Sequence, residues 1–354
     1  MYHLNFLAMT IITKGAIILL LLLPVSAKVP AVIVFGDSSV DTGNNNMIET
    51  VLKSNFEPYG RDFEGGRPTG RFCNGRVPSD FVSEYFGLKK TVPAYLDPNY
   101  GISDFATGVV FASAGTGYDN TTAAVLNVMP FWKEVELYKE YQQKLRDYVG
   151  ETKANYIIKE AVYLVSIGTN DFLENYYLLP TTRARYTVQQ FEDHLLDSAR
   201  EFVSQMYSLG ARKISLSGIS PMGCLPLERT VNFMEIEGCN EEYNNVALEF
   251  NGKLRDLIKN MNGEFVGLRL VLSNPYYILK KIIRNPSEYG IEVTKEACCG
   301  TGMFEMGYLC KIDGSFSCPD ADKYLFWDSF HPSQKTNQII SQHLFQTVLY
   351  KFLH

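Results

Sequence analysis

Ser38 stands just after the apolar run Ala31-Val32-Ile33-Val34-Phe35, where the chain breaks into Gly36-Asp37-Ser38-Ser39-Val40-Asp41-Thr42-Gly43-Asn44-Asn45. The run is too short for a helix and rich in β-branched residues, the pattern of a strand buried on both faces. Gly36 gives the backbone freedom for a sharp turn, so a hydroxyl two residues on can stand clear of the sheet edge. Open α/β sheets bind their ligands at the carboxyl ends of such strands. A serine there can act as a nucleophile once an adjacent base activates its hydroxyl.

The base follows by elimination among five histidines. His3 lies in an N-terminal leader-like segment, His194 and His343 fall in helical patterns, and His354 ends the chain. His331 alone lies at a break, in Trp327-Asp328-Ser329-Phe330-His331-Pro332-Ser333. Asp328, three residues upstream, is close enough over one turn to accept a bond from the imidazole and hold its tautomer. Nucleophilic attack on a carbonyl also needs preorganised donors for the oxyanion. Asn170, in Ile167-Gly168-Thr169-Asn170-Asp171, offers its side-chain amide. The N–H of Gly115, in Ala112-Ser113-Ala114-Gly115-Thr116-Gly117, and that of Ser38 itself complete the set. Asp37 is followed by no D-x-D, which speaks against a phosphatase nucleophile. Asp41 and Thr42 are expected to cap a helix after the serine, and Asp171 to brace the Asn170 loop.

Five segments carry buried-strand patterns: Ala31–Phe35, Val109–Ser113, Ala161–Ile167, Lys213–Ser217 and Leu268–Ser273. Helical patterns fall between and after them, at Pro130–Tyr148, Val188–Leu209, Glu241–Asn260 and Ser333–Phe352. Such alternation implies βαβ units and a parallel sheet covered on both faces. With the strand order 2-1-3-4-5, the ends of strands two and three lie about 4.8 Å to either side of Ser38. The three oxyanion donors then converge on one point.

Residues 1–27 read as a secretory signal peptide: Lys14 precedes an apolar run from Ala16 to Leu23, and Val25-Ser26-Ala27 supplies small residues for cleavage. A retained anchor is the alternative. Residues 28–354 read as one domain, since no repeat, low-complexity tract or linker divides them. No later run reaches spanning length, and the apolar residues from Ile339 to Phe352 are interrupted by Gln, His and Lys, as in a core-facing helix. The expectation is therefore a secreted protein without a stable membrane anchor. A formal net charge of −6 leaves no electrostatic footprint for nucleic acid. Arg61, Arg67, Arg71 and Arg76 are expected to pair with nearby carboxylates rather than bind an anion. Of seven cysteines, Cys224 with Cys239, and the cluster Cys298, Cys299, Cys310 and Cys318, suit short disulfide loops of open connectivity; Cys73 stands apart. A zinc site is the rival for the cluster, though no C-x-x-C spacing appears. Asn120-Thr121-Thr122 is an N-glycosylation sequon.

Taken together, Phe35-Gly36-Asp37-Ser38 with Asp41-Thr42-Gly43-Asn44-Asn45, Phe111-Ala112-Ser113-Ala114-Gly115, Gly168-Thr169-Asn170-Asp171 and Asp328-Ser329-Phe330-His331-Pro332 resemble the plant-type GDSL esterase/lipases of the SGNH hydrolase superfamily. Thr69-Gly70-Arg71-Phe72 and Pro221-Met222-Gly223-Cys224-Leu225-Pro226 look like that family too. The resemblance spans the mature chain. It implies a flavodoxin-like three-layer α/β/α sandwich on a five-stranded parallel sheet, secretion, and ester hydrolysis without a cofactor or metal. It implies Ser38 as nucleophile, His331 and Asp328 as base and orienter, and Gly115 and Asn170 as oxyanion donors. Ser39, Val110 and Asn274 stand where members of the family often carry leucine, asparagine and aspartate. The expected substrate is a small-molecule, lipid or polysaccharide ester carrying an acyl or acetyl group. Acyl transfer to an alcohol would use the same residues. A binding protein without activity, or a flavodoxin-like module cradling a phosphate at Ser38 to Asn44, is the alternative from another class; Asp37 and Asp41 would repel that phosphate.

Overall fold

Five parallel strands form the central sheet in the order β2-β1-β3-β4-β5: β1 Val32–Gly36, β2 Gly108–Val110, β3 Val162–Ser166, β4 Lys213–Ser217 and β5 Arg269–Ser273. The computed structural model describes residues 29–232, 238–311 and 317–354, and the segment read as a signal peptide lies outside them. Gly36 pairs with Ser166, so the carboxyl ends of β1 and β3 lie level. This is the expected sheet, in the expected order.

Both faces are covered, by helices whose apolar stripes match the strands. On one face Phe35, Tyr163, Val165 and Leu216 pack against α2 (Phe131–Val149), α4 (Val188–Ser208) and α5 (Glu241–Glu264). A second cluster joins Val32, Val34, Val162 and Leu164 to α1 (Pro78–Tyr85) and the 3-10 turn Leu349–Leu353. The C-terminal helix α7 (Gln334–Thr347) lies against α1, while α3 (Glu151–Glu160) precedes β3 and α6 (Tyr276–Arg284) follows β5.

Three expectations are corrected. The second strand is shorter than Val109–Ser113: Phe111 and Ser113 still donate to the Val34 and Gly36 carbonyls at 2.8 and 2.9 Å, but the Gly36 N–H turns to Glu134 at 2.9 Å and the two-sided ladder ends at Val110. The last helix ends at Thr347 rather than Phe352, because Val348 adopts φ −130° and the chain restarts as a 3-10 turn. A two-stranded parallel pair, β6 (Val293–Ala297) with β7 (Tyr324–Phe326), carried no buried-strand signal, since Lys295 and Glu296 in β6 are exposed.

Cysteines pair as Cys224–Cys239, Cys298–Cys318 and Cys299–Cys310, and Cys73 remains a buried thiol. The arginines pair as expected for three of four, while Arg67 is exposed. Arg61 meets Asp62, Arg76 meets Glu84, and the buried Arg71 donates from both Nε and Nη2 to Asp80 at 2.8 Å. Removing one partner of a buried pair leaves the other charge uncompensated. Arg71→Met is therefore expected to lower unfolding free energy by roughly 3–5 kcal/mol. Denaturant unfolding checks this; an unchanged midpoint would return Arg71 to the list of free, anion-binding cations.

Candidate active site

The loop from Asp328 to His331 is built around one carboxylate. Asp328 is fully buried; its Oδ1 accepts the N–H of Phe330 at 2.9 Å and of His331 at 2.7 Å. The same oxygen lies 2.8 Å from His331 Nδ1, so the carboxylate makes that nitrogen the donor and leaves Nε2 as the acceptor. His331 Nε2 is 2.8 Å from Ser38 Oγ. The structure thus brings Ser38, His331 and Asp328 into one hydrogen-bonded line. The Trp327 N–H donates to the His331 carbonyl at 2.8 Å and closes the turn.

Ser38 owes its place at the strand end to Gly36. That glycine sits at φ +134°, and a Cβ there would lie 1.9 Å from the Ser166 carbonyl oxygen, so no larger residue fits. Ser39 adds a tie to β3: its hydroxyl donates to Asp37 Oδ1 at 2.6 Å and lies 2.8 Å from Ser166 Oγ. Asp37 is occupied in this way, and burial raises its pKa.

The loops after β2 and β3 carry Gly115 and Asn170. Asn170 gives one amide hydrogen to the Thr116 carbonyl at 2.9 Å, which fixes the orientation of its side chain toward the neighbouring loop. Among the described residues, no protein acceptor takes the N–H of Ser38 or Gly115. Asp41 accepts the N–H groups of Gly43 and Asn44, both at 2.8 Å, at the head of a 3-10 turn rather than a longer helix, and also that of Ala114 at 3.2 Å. Thr42 does not share the capping: its hydroxyl has no partner among the described residues, because Asp41 already holds those donors. Asn45 accepts from the Ser113 hydroxyl at 2.6 Å and donates to the Ala114 carbonyl at 2.9 Å. The Gly115 loop is thereby held from the Ser38 side, with Val110 contributing only backbone. Asn274, the third departure, accepts the Tyr276 N–H at 3.0 Å at the start of α6.

Asp171 braces more than its own loop. Its carboxylate accepts from Tyr118 N–H at 2.8 Å, Asp119 N–H at 3.0 Å and the Thr122 hydroxyl at 2.7 Å. The approach is possible because residue 117 is glycine: a Cβ there would lie 2.3 Å from the carboxylate. Burial pushes the Asp171 carboxyl up to about 7 and that of Asp41 up to about 6, against the lowering effect of these donors. Asn120 lies close by, exposed, as the first residue of a short helix. His194 lies in α4 as read, with Nε2 2.8 Å from Asp119 Oδ2.

Three side chains at the site went unassigned in the sequence. Tyr59 is fully buried; its hydroxyl donates to Asp328 Oδ2 and accepts the Gly307 N–H, each at 2.7 Å. Phe72 places its ring 5.1 Å from the His331 imidazole. Glu134 accepts the Gly36 N–H at 2.9 Å from beneath the nucleophile turn, and burial holds its carboxyl well above the usual range. Helical spacing puts Glu134 on the same face as Phe131, Val135 and Tyr138, so an acid on an apolar stripe was the available signal. Tyr59 offered none, since a loop has no periodicity.

The profile of a family described as GDSL-like lipase/acylhydrolase matches residues 32–344. GDSL esterase/lipase At2g42990 of Arabidopsis thaliana is 59% identical over 320 residues, covering 90% of this chain and 91% of that one. GDSL esterase/lipase At4g26790 of the same plant is 59% identical over 326 residues, covering 92% and 93%. A third, GDSL esterase/lipase At2g04570, is 56% identical over 328 residues, covering 93% and 94%.

The Asp171 carboxyl links pH to stability. An unfolded aspartate releases its proton near about 3.9. The native chain holds it to about 7, so between these values the native state binds more protons. Its stabilising contribution is then complete below the unfolded value and lost as pH rises through the native one. The melting temperature of the wild type is expected to fall relative to Asp171→Asn as pH is raised from mildly acidic to mildly alkaline. Parallel melting curves across that range would mean that Asp171 does not titrate there.

Proposed function

The chain belongs to the GDSL-like lipase/acylhydrolase family, and from that premise we propose that it is a secreted serine ester hydrolase working through Ser38, His331 and Asp328. The observation that carries the reading is the unbroken line from Asp328 Oδ1 through His331 to Ser38 Oγ, with 2.8 Å at each junction.

In the proposed reaction His331 Nε2 takes the Ser38 proton as Oγ attacks the ester carbonyl. The carbonyl oxygen becomes an oxyanion facing the Ser38 and Gly115 N–H groups and the second amide hydrogen of Asn170. Collapse breaks the bond to the alcohol oxygen, which leaves with the proton from His331. Water then attacks the acyl-enzyme, again giving its proton to His331, and the acid departs as Ser38 regains its hydrogen. Asp328 stabilises the imidazolium without itself accepting a proton. Tyr59 and Phe72 are positioning residues in this scheme, one holding the far oxygen of Asp328 and the other packing on the imidazole. Secretion through residues 1–27 and a glycan on Asn120 belong to the same reading. Three disulfides support it, since such bonds persist in oxidising compartments. Among the described residues no helix is long and apolar enough to cross a membrane.

Ser38→Ala is expected to fold and to lose at least roughly a hundredfold in ester turnover, because covalent catalysis goes while the oxyanion donors stay. Wild-type turnover in the purified variant, or a fluorophosphonate tag found by mass spectrometry on another serine, would sink the assignment. Tyr59→Phe removes one charge-assisted bond to Asp328 and is expected to lower kcat by about tenfold with little change in KM. A change confined to KM would instead make Tyr59 a substrate contact.

A further inference from the structure

One face of the sheet departs from the usual pattern. Parallel strands covered on both faces carry near-continuous apolar runs, as Val32, Val34, Val162 and Leu164 do here. Across the same face Leu164 is level with Ser215 of β4, and one pleat further on Ser217 is level with Ser273 of β5. These hydroxyls ask for no water. Ser215 and Ser273 lie 2.6 Å apart and bond to each other, and Ser217 donates to the Gly218 carbonyl at 2.9 Å. The serines therefore act as short side chains that leave volume behind, with their polar atoms satisfied inside the wall.

That volume is a cavity of about 160 Å³ between the sheet and α1, α6 and α7. Ser38 and His331 line one end of it. Helix α7 starts just after His331 and runs back along the strands, so its lining residues Asn337, Ile340 and Leu344 lie progressively farther from the hydroxyl. Asn337 to Leu344 spans about 10 Å of helix axis. Ile283, in the last turn of α6, and Leu349, at the head of the 3-10 turn after α7, also line the cavity. Among the described lining residues the only titratable side chains are Asp37 and His331, both beside Ser38.

We propose that this cavity is the acyl channel of the enzyme, and that its substrates are esters of medium-chain fatty acids rather than acetyl esters. The inference rests on Ser38 being the nucleophile. An acetyl group would use little of the volume, and a sugar would bring hydroxyls that the apolar stretch of Val82, Leu164, Ile340 and Leu344 leaves unpaired. An aliphatic chain gains with each methylene it buries, and it enters from the carbonyl that Ser38 attacks.

The test is kcat/KM on acetyl, butyryl, octanoyl and dodecanoyl p-nitrophenyl esters. Wild type is expected to gain up to about fourfold per buried methylene between acetyl and octanoyl. Leu344→Trp and, separately, Ser215→Leu fill the channel and should each lower the octanoyl-to-acetyl ratio by at least about tenfold. Labelling of Ser38 by a methyl fluorophosphonate reports independently that each variant is folded. A wild-type profile that is flat or falls from acetyl upward overturns the channel, as does an unchanged ratio in both filled variants that label normally. No turnover on any ester, with no label on Ser38, removes the hydrolase reading itself and the channel with it.

Discussion

A carboxylate without access to solvent must be met by donors, and Asp328 is such a group. Its partners set terms for widely separated parts of the chain. Two come from its own turn, the third is the imidazole, and the fourth is Tyr59 from the long connection after β1. Tyr59 is in turn held by the Gly307 N–H, in the segment clipped by Cys299–Cys310 and Cys298–Cys318. The N–H groups of Cys298 and Cys299 donate to the carbonyls of Phe326 and Trp327, directly ahead of Asp328. The cross-linked segment is thus a support for the residues that present the proposed base.

The opposite side of the site depends on the same physics with different partners. Loops have no ladder to satisfy their backbone, so their position must come from side chains. Asp41, Asn44 and Asn45 tie the Ser38 turn to the loop after β2, and Asp171 ties the loop after β3 to residues 118–122. Each is buried and each spans two loops, so polar bonds between loops hold the proposed oxyanion donors.

The two sheet faces do different work. One is filled by aromatic side chains, with Phe35 in contact with Phe111, Tyr138 and Phe202 beneath the nucleophile strand. That density gives Ser38 a rigid base, reinforced by Glu134 on the Gly36 N–H. The other face is thinned by Ser215, Ser217 and Ser273, and it is there that space opens behind the proposed triad. Rigidity under the nucleophile and room beside it follow from the same strands read on alternate residues.

The amino-acid sequence by itself determined the five strands, the long helices, the serine, the histidine and the aspartate. Those signals are local: short β-branched runs, helical spacing, a glycine before a hydroxyl, and one histidine at a break. It also marked Cys73 as the odd thiol, because the other cysteines fall close enough to close short loops. Which cysteines of the cluster pair was decided only in three dimensions, where Cys298 meets Cys318 and Cys299 meets Cys310. The same holds for Tyr59 on Asp328, for Thr42 left out of the capping, and for the exposed pair β6–β7, which has no periodic apolar signature. The serines of β4 and β5 read locally as ordinary strand residues. Only the tertiary structure aligns Ser215 with Leu164 and Ser217 with Ser273 and lays α7 over them, because an unfilled volume belongs to no single segment of chain.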